Sequence, residues 1–179
     1  MSQYAFTAGL TIVLVVIVIG LIGLGWRNRI KRQSDVPDLP EVPAAFEPQV
    51  FEASGQYVVT TKGGDWLDRI AAHGLGVRTN ATMHVHPEGV VIERSGSGTI
   101  YIAREALREV RTESGMAGKF VERGGLVVVT WMLGQMEVDT GFRTTAAEAK
   151  PALVTALKEL LPDGGTQDSP DAGLNGKNN

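Results

Sequence analysis

Cysteine is absent from this chain of 179 residues, and its absence limits the chemistry that the protein can perform. Without thiols there is no disulfide bond, no thiolate nucleophile and no zinc–thiolate site. An excess of positive charge is also absent, because the formal net charge at pH 7 is −3. Nucleic-acid-binding proteins carry clustered lysine and arginine, so the charge argues against nucleic acid as the main partner.

Charged side chains are missing from residues 2–26 as well. Residues 8–26 read AGLTIVLVVIVIGLIGLGW, about the 20 residues that a helix needs to cross a bilayer core. The run has no polar face, as a helix packed on a soluble core would have. It also lacks the basic start and the small-residue cleavage site of a signal peptide. We therefore predict a retained transmembrane helix over residues 8–26, preceded by a short outer segment, residues 1–7.

The flanking charges predict how this helix is oriented. No lysine or arginine precedes it, and four basic residues follow it at once: Arg27, Arg29, Lys31 and Arg32. Basic residues beside a span stay in the cytoplasm, so we expect the amino terminus outside the plasma membrane and the rest of the chain inside. The same four side chains are placed to contact anionic headgroups at the membrane surface, at about 1 kcal/mol each.

Two low-complexity stretches set the limits of the predicted folded domain. Residues 27–49 combine the basic segment with an acidic, proline-rich linker, QSDVPDLPEVPAAFEPQ, whose extended reach is on the order of 50 Å. Residues 162–179 contain almost no apolar side chains, so we expect a disordered tail. Residues 50–161 remain, which is enough for one domain with a single core.

Within residues 50–161, β-branched and alternating runs predict short strands joined by turns. The expected strands are 56–61, 79–86, 90–94, 99–102, 108–113, 119–122, 126–133 and 136–142. No long crossover helix separates any two of them, so the sheet should be antiparallel. The stretch DWLDRIAAH predicts a short helix over Asp65–His73, with Asp65 as its N-cap and Gly74 at its left-handed end.

A carboxy-terminal helix completes the predicted domain. Its apolar stripe consists of Leu153, Ala156, Leu157, Leu160 and Leu161. The stretch TAAE at 145–148 resembles a capping box, whereas Pro151 requires either an irregular first turn or a start at Pro151 itself. About seven antiparallel strands, strongly bent and closed by such a helix, outline a pleckstrin-homology (PH)-like domain.

The chain also resembles a known group, the actinobacterial single-pass membrane proteins with a bacterial PH-like domain. The resemblance covers about residues 5–161 and rests on HGLGVR from His73, W-x-x-G from Trp131, and DTGFR from Asp139. Members are commonly called transporters or export proteins, and their genes tend to lie among pyrimidine-biosynthesis genes. The resemblance thus implies pyrimidine-pathway enzymes as candidate cytosolic partners. A transport role conflicts with a single span that holds no ionisable residue.

No motif in the chain predicts catalysis. His84 and His86 share one face of a strand, but no third ligand lies near, and zinc needs three or four. The stretch GMAGK at 115–119 resembles the end of a phosphate-binding loop, yet it lacks the first glycine and has Phe120 in place of the hydroxyl residue. We predict no catalytic residue, no metal site and no cofactor.

Three basic residues are tentative ligand contacts, because they lie in or next to predicted loops: Arg111, Lys119 and Arg123. They offer a site for an anionic headgroup or an acidic peptide. The alternative is an ordinary mixed surface, which their interleaving with Glu109, Glu113 and Glu122 favours. Trp131, within the run VVVTWML, is expected in the core.

Three functions follow from this sequence. The first is a non-enzymatic scaffold, anchored in the membrane, whose PH-like domain captures a cytosolic protein and raises its concentration at the membrane. The second is a PH-like sensor of anionic lipids. The third is an outward-facing envelope domain, which requires the orientation predicted from the flanking charges to be wrong.

Overall fold

The computed structural model describes residues 12–21, 23, 36–120 and 124–162, and only the backbone of residues 119 and 120. Residues 12–21 and 23 are helical, and they lie within the predicted span. Among the described residues, no helix combines the length and the apolar character that crossing a membrane requires. The rest of the predicted span, its four basic neighbours and most of the predicted tail lie outside the described residues.

The described domain is mainly an antiparallel sheet, as the sequence predicts. The strands are β1 (Phe51–Lys62), β2 (Asp65–Arg69), β3 (Thr79–His86), β4 (Gly89–Arg94), β5 (Ile100–Ala103), β6 (Leu107–Glu113), β7 (Gly115–Met116), β8 (Lys119–Phe120), β9 (Leu126–Leu133) and β10 (Met136–Thr144). Seven of them lie side by side in the order β5-β4-β3-β1-β10-β9-β6. Strand β2 pairs with the end of β1, and β7 and β8 form a separate hairpin. The carboxy-terminal helix, α1, is Ala149–Glu159.

Strand β1 joins the two halves of the sheet. Its residues 51–57 pair with β3, and its residues 55–62 pair with β10, with a register shift between Tyr57 and Val59. A shift of this kind bends a strand and increases its twist, so the sheet curves around one core. Trp131 is fully buried in that core, as expected, and Leu153 and Leu157 of α1 pack into it together with Leu160, which follows the helix.

A continuous chain of hydrogen bonds crosses this apolar core. The Trp131 indole N–H donates to Thr140 Oγ1 at 2.9 Å, Thr140 Oγ1 lies 2.9 Å from Thr60 Oγ1, and Thr60 Oγ1 lies 2.7 Å from the Tyr57 hydroxyl. The Tyr57 hydroxyl donates to the Leu75 carbonyl at 2.6 Å. An indole only donates and a carbonyl only accepts, so each hydroxyl between them accepts one hydrogen bond and donates one.

Arg94 is a buried cation at the end of β4. It is 5% exposed and lies over the Tyr57 ring, 4.9 Å from the ring centroid. Its guanidinium donates to the carbonyls of His73, Gly74 and Gly98 at 2.8–3.1 Å. Burial lowers the pKa of Arg94, and these carbonyls together with the tyrosine ring compensate its charge. Arg94 therefore ties the turn at 72–74 to the turn after β4.

The predicted helix over Asp65–His73 is wrong, because residues 65–69 form strand β2 and residues 72–74 form a short 3-10 turn. The Asp65 carboxylate does accept the N–H groups of Leu67 and Asp68, at 3.0 and 3.3 Å. An aspartate makes the same local hydrogen bonds in a turn as at a helix N-cap, so the cap signal does not distinguish the two. The positive φ of Gly74, 68°, is as predicted.

Helix α1 begins without the predicted capping box. Its N-cap is Glu148, and no side chain caps the first N–H groups. Pro151 is the third helical residue, where a missing N–H costs little because the first-turn N–H groups have no partner inside the helix. The chain enters the helix through i→i−3 hydrogen bonds from Ala149 and Lys150 to the carbonyls of Ala146 and Ala147, at 3.2 and 3.3 Å.

The second half of the predicted linker lies against the domain. We call residues 36–50 the strap. Val36 and Leu39 pack against the core, and the Phe46 ring stacks on His86 with 4.6 Å between ring centroids. The side chain of Gln49 lies 2.8 Å from His84, whose side chain is only 18% exposed. The apolar residues among the prolines explain this packing, because burying them offsets the conformational entropy that is lost when the strap becomes ordered.

Tyr57 should make the protein sensitive to alkali. Burial raises the pKa of Tyr57 from 10.0 to about 12, so between these values the unfolded state releases a proton that the folded state keeps. Its contribution to stability is present below pH 10 and is lost as the pH rises through 12, a loss of about 2–3 kcal/mol. Urea titrations should show this loss in the native chain and in Tyr101→Phe. An equal loss in Tyr57→Phe would contradict the assignment.

Candidate binding groove

One groove on the outer face of the sheet combines an exposed aromatic ring with paired charges. Its volume is about 390 Å³, which is at the lower end of the range for ligand pockets. We call it the Trp66 groove; it is lined by Gly64, Trp66, Arg111, Glu113, Ser114, Gly115, Met116, Val128 and Asp139. These residues come from β2, β6, β7, β9 and β10, from the turn before β2 and from the bend between β6 and β7.

Trp66 is held in place by its backbone. The Gly63-Gly64 turn sends β2 back along the end of β1, and Gly64 has a positive φ of 75°. The Trp66 carbonyl accepts a hydrogen bond of 2.8 Å from the N–H of Ala117, which ties β2 to the β7–β8 hairpin. The residue nevertheless remains 47% exposed. A large ring that is fixed at its backbone and open to solvent is typical of binding surfaces.

The β7–β8 hairpin packs on the outer face of the sheet through Met116. This side chain is buried against Val58 and Val128, in a small apolar cluster separate from the main core. Gly141 makes the close approach feasible, because a Cβ at that position would lie 2.7 Å from the Met116 sulfur. The hairpin thus forms one wall of the groove, and Trp66 forms another.

The charged part of the groove centres on Arg111. Its guanidinium donates to both carboxylate oxygens of Asp139, at 2.9 and 3.3 Å, and to Thr130 Oγ1 at 2.6 Å. Glu113 and Glu109 are also within reach, at 3.1 and 3.4 Å. Burial lowers the pKa of Arg111, but its hydrogen bonds and attraction to carboxylates outweigh burial, and the net direction is upward. Two-point pairing with a buried carboxylate holds the guanidinium rigidly.

Among the side chains that the structure describes, the charges paired with Arg111 do not balance. One cation faces three carboxylates, those of Glu109, Glu113 and Asp139, so this group has a net charge of −2. Asp139 is buried, with its side chain 6% exposed, and it neutralises Arg111. Glu109 and Glu113 are about half exposed and carry the remaining negative charge, Glu113 in the lining of the groove and Glu109 beside Arg111.

The three basic residues predicted as ligand contacts are placed differently. Arg111 lies within β6, which corresponds to the predicted strand 108–113, and it is paired with carboxylates. Lys119 lies in β8, where only the backbone is described, and Arg123 lies outside the described residues. An anion site formed by these three residues stays a prediction.

Sequence reasoning missed Trp66 and Asp139 as site residues. Trp66 falls within the predicted helix over 65–73, although Gly63-Gly64 between two short runs is a hairpin signal. Asp139 falls within the predicted strand 136–142, and no local pattern there marks it as a site residue. Only the pairing of β10, β9 and β6 brings it to Arg111, 28 positions away along the chain.

Metal ligands do not gather in the described part of the chain. Among the described residues, no three His, Asp or Glu side chains form a group that could hold a metal ion. The rings of His84 and His86 are 6.5 Å apart, and each has a hydrogen-bonding partner in the strap.

A curved antiparallel sheet in this strand order, with a helix packed on β1 and β6, defines a PH-like domain. The model of a bacterial family described as "Bacterial PH domain-like" matches residues 36–158, and the chain belongs to this family. The match begins at Val36, the first residue of the strap. PH-like domains are generally non-catalytic, and they commonly bind proteins or lipids.

No curated protein matches the chain. Among solved structures, it is similar to a Vav1 chain in the structure titled "Vav1 inhibited by an allosteric inhibitor: Vav1 inhibitors block GEF activity". The sequences are 12% identical, the TM-score is 0.40, and the match covers 76% of this chain but only 32% of the Vav1 chain. A likeness at this distance does not bear on function.

Removing Arg111 should destabilise the domain, because Asp139 would keep a buried carboxylate without its cation. We expect Arg111→Met to lower the free energy of unfolding by about 2–4 kcal/mol. Adding Asp139→Asn should restore part of the loss, since the amide carries no charge. Arg108→Met is the control on the same strand, because Arg108 donates to backbone carbonyls. Equal losses for the two arginine variants in urea titrations would contradict the pairing.

Proposed function

We propose that this protein is a non-enzymatic binding module tethered to the cytoplasmic face of the plasma membrane. Its PH-like domain captures a protein partner through the Trp66 groove. The observation that carries the proposal is the half-exposed Trp66 ring beside the rigid Arg111–Asp139 pair. Tryptophan and arginine dominate the energetics of protein–protein interfaces, and here both are held in place before a partner arrives.

Charge favours a protein over an anionic lipid as the ligand of this groove. A phosphate headgroup approaching Arg111 would also approach the carboxylates of Glu109 and Glu113. Like charges repel at such short distances, and Arg111 already has a carboxylate partner in Asp139. The groove therefore suits a partner surface that is apolar in part and not acidic.

The tether is proposed from the sequence. The apolar run over 8–26 supports a span, and the four basic residues after it support a cytoplasmic domain. Because the strap begins at residue 36, only residues 27–35 are left to join the span to the domain. Nine residues reach about 30 Å at most, so the domain would stay close to the membrane. Soluble enzymes of pyrimidine biosynthesis are the first partners to seek, on the basis of the resemblance alone.

The proposed orientation can be tested with single cysteines, since the chain has none of its own. Ser2→Cys should react with a membrane-impermeant maleimide in intact cells, whereas Ser169→Cys should react only after lysis. The cysteine-free chain is the control for background labelling. The reverse pattern would show an outward-facing domain, and labelling of neither residue before lysis would contradict a membrane span.

The groove itself can be tested by site-specific crosslinking in cells. The full-length protein would carry a photoreactive phenylalanine in place of Ser114, which is exposed and lines the groove, and a matched variant would carry it in place of Leu67. Leu67 is a sound control because it is exposed and follows Trp66 but does not line the groove. We expect a discrete protein adduct from position 114, identified by mass spectrometry, and little from position 67. Equal adducts from both positions, or none, would contradict the proposed site.

A further inference from the structure

We infer that the Trp66 groove recognises a short segment in which a lysine or arginine lies next to an apolar residue. The inference rests on the proposed function and specifies the chemistry of the partner. It is argued from the charge at the rim, the aromatic wall and the size of the groove.

The carboxylates at the rim select for positive charge. Asp139 and Arg111 neutralise each other, with two hydrogen bonds between them. Glu109 and Glu113 are then in excess, and their side chains are 55% and 46% exposed. A cationic side chain entering the groove would meet the partly solvated carboxylate of Glu113, with that of Glu109 close by on the other side of Arg111, whereas an acidic side chain would be repelled by them.

The Trp66 ring, which forms one wall of the groove, also suits a lysine or arginine side chain. The face of a tryptophan attracts a cation within about 6 Å of its centroid, and it also covers the methylene stem of lysine or arginine. Trp66 is half exposed and lines the groove together with Glu113. A guanidinium or ammonium group would therefore find a π-face and a carboxylate in one cavity.

Met116 and Val128 form the apolar floor of the groove, where they are only 2% and 1% exposed. The accessible apolar surface is therefore mainly that of the Trp66 ring, which is wide enough to contact an apolar side chain beside a cation. A groove of about 390 Å³ has room for a few side chains and not for a folded surface. The partner thus contributes a short segment with one cationic and one adjoining apolar residue.

The test uses three labelled hexapeptides and the full-length protein in mild detergent, with fluorescence anisotropy as the readout. The peptides are identical, with one leucine, except that the residue after it is arginine, glutamine or glutamate. We expect the arginine peptide to bind at least tenfold more tightly than the glutamate peptide, with the difference shrinking as salt is raised. Phosphatidylglycerol vesicles without peptide serve as a fourth probe.

Variants locate the binding on the protein. Trp66→Ala should lower the affinity for the arginine peptide at least tenfold. Glu113→Gln should reduce the ratio of the affinities for the arginine and glutamine peptides severalfold. Leu67→Ala and Glu159→Gln are the matched controls and should change neither value. Trp66 and Glu113 are both substantially exposed, so unchanged thermal unfolding midpoints are expected and would confirm that the variants fold.

Several results would overturn the inference. These are equal or tighter binding of the glutamate peptide, no binding of any peptide, and Trp66-dependent binding to the vesicles alone. If crosslinks from position 114 persist in any of these cases, the proposed function stands and only the chemistry assigned to the partner is wrong. If the crosslinks are absent as well, both fail.

Discussion

The hydrogen-bond chain from the Trp131 indole to the Leu75 carbonyl is the constraint on which the rest of the domain depends. It links β9, β10 and β1 to the turn after β2, and all of its hydroxyl groups are buried. Each group is satisfied only if its neighbours are in place, because an unpaired buried polar group costs about 1–3 kcal/mol. The chain therefore fixes the register of three strands and the position of Leu75 together.

The groove benefits from this anchoring. β2 is fixed at its start by the Gly63-Gly64 turn and beyond its end by Leu75, whose carbonyl also accepts the N–H of Thr60. Arg94 holds the same turn from the other side, through the carbonyls of His73 and Gly74. Trp66 thus projects from a short strand that is fixed at both ends. Binding to a preorganised ring loses little conformational entropy, which favours affinity from a small contact area.

Local signals in the sequence predict most of the fold. β3, β4, β9 and β10 follow from alternation and from turns such as Gly134-Gln135, because both depend on residues close together in the chain. The β7–β8 hairpin lies on the outer face because Gly141 leaves room for Met116. These two residues are far apart in the sequence, so no local pattern predicts their contact. The groove is harder still to predict, since Trp66, Arg111 and Asp139 meet only through sheet pairing.

The strap determines which end of the domain a membrane tether would hold near the bilayer. Pro37 lies against Gly134 in the turn between β9 and β10, and the N–H of Gly63 donates to the carbonyl of Glu137 at the start of β10. The chain therefore enters the domain at the end where β2, and with it the Trp66 groove, begins. Under the proposed topology a linker of about 30 Å would hold this end near the bilayer. A captured segment would then be confined close to the inner leaflet, where a short tether gives a high effective concentration.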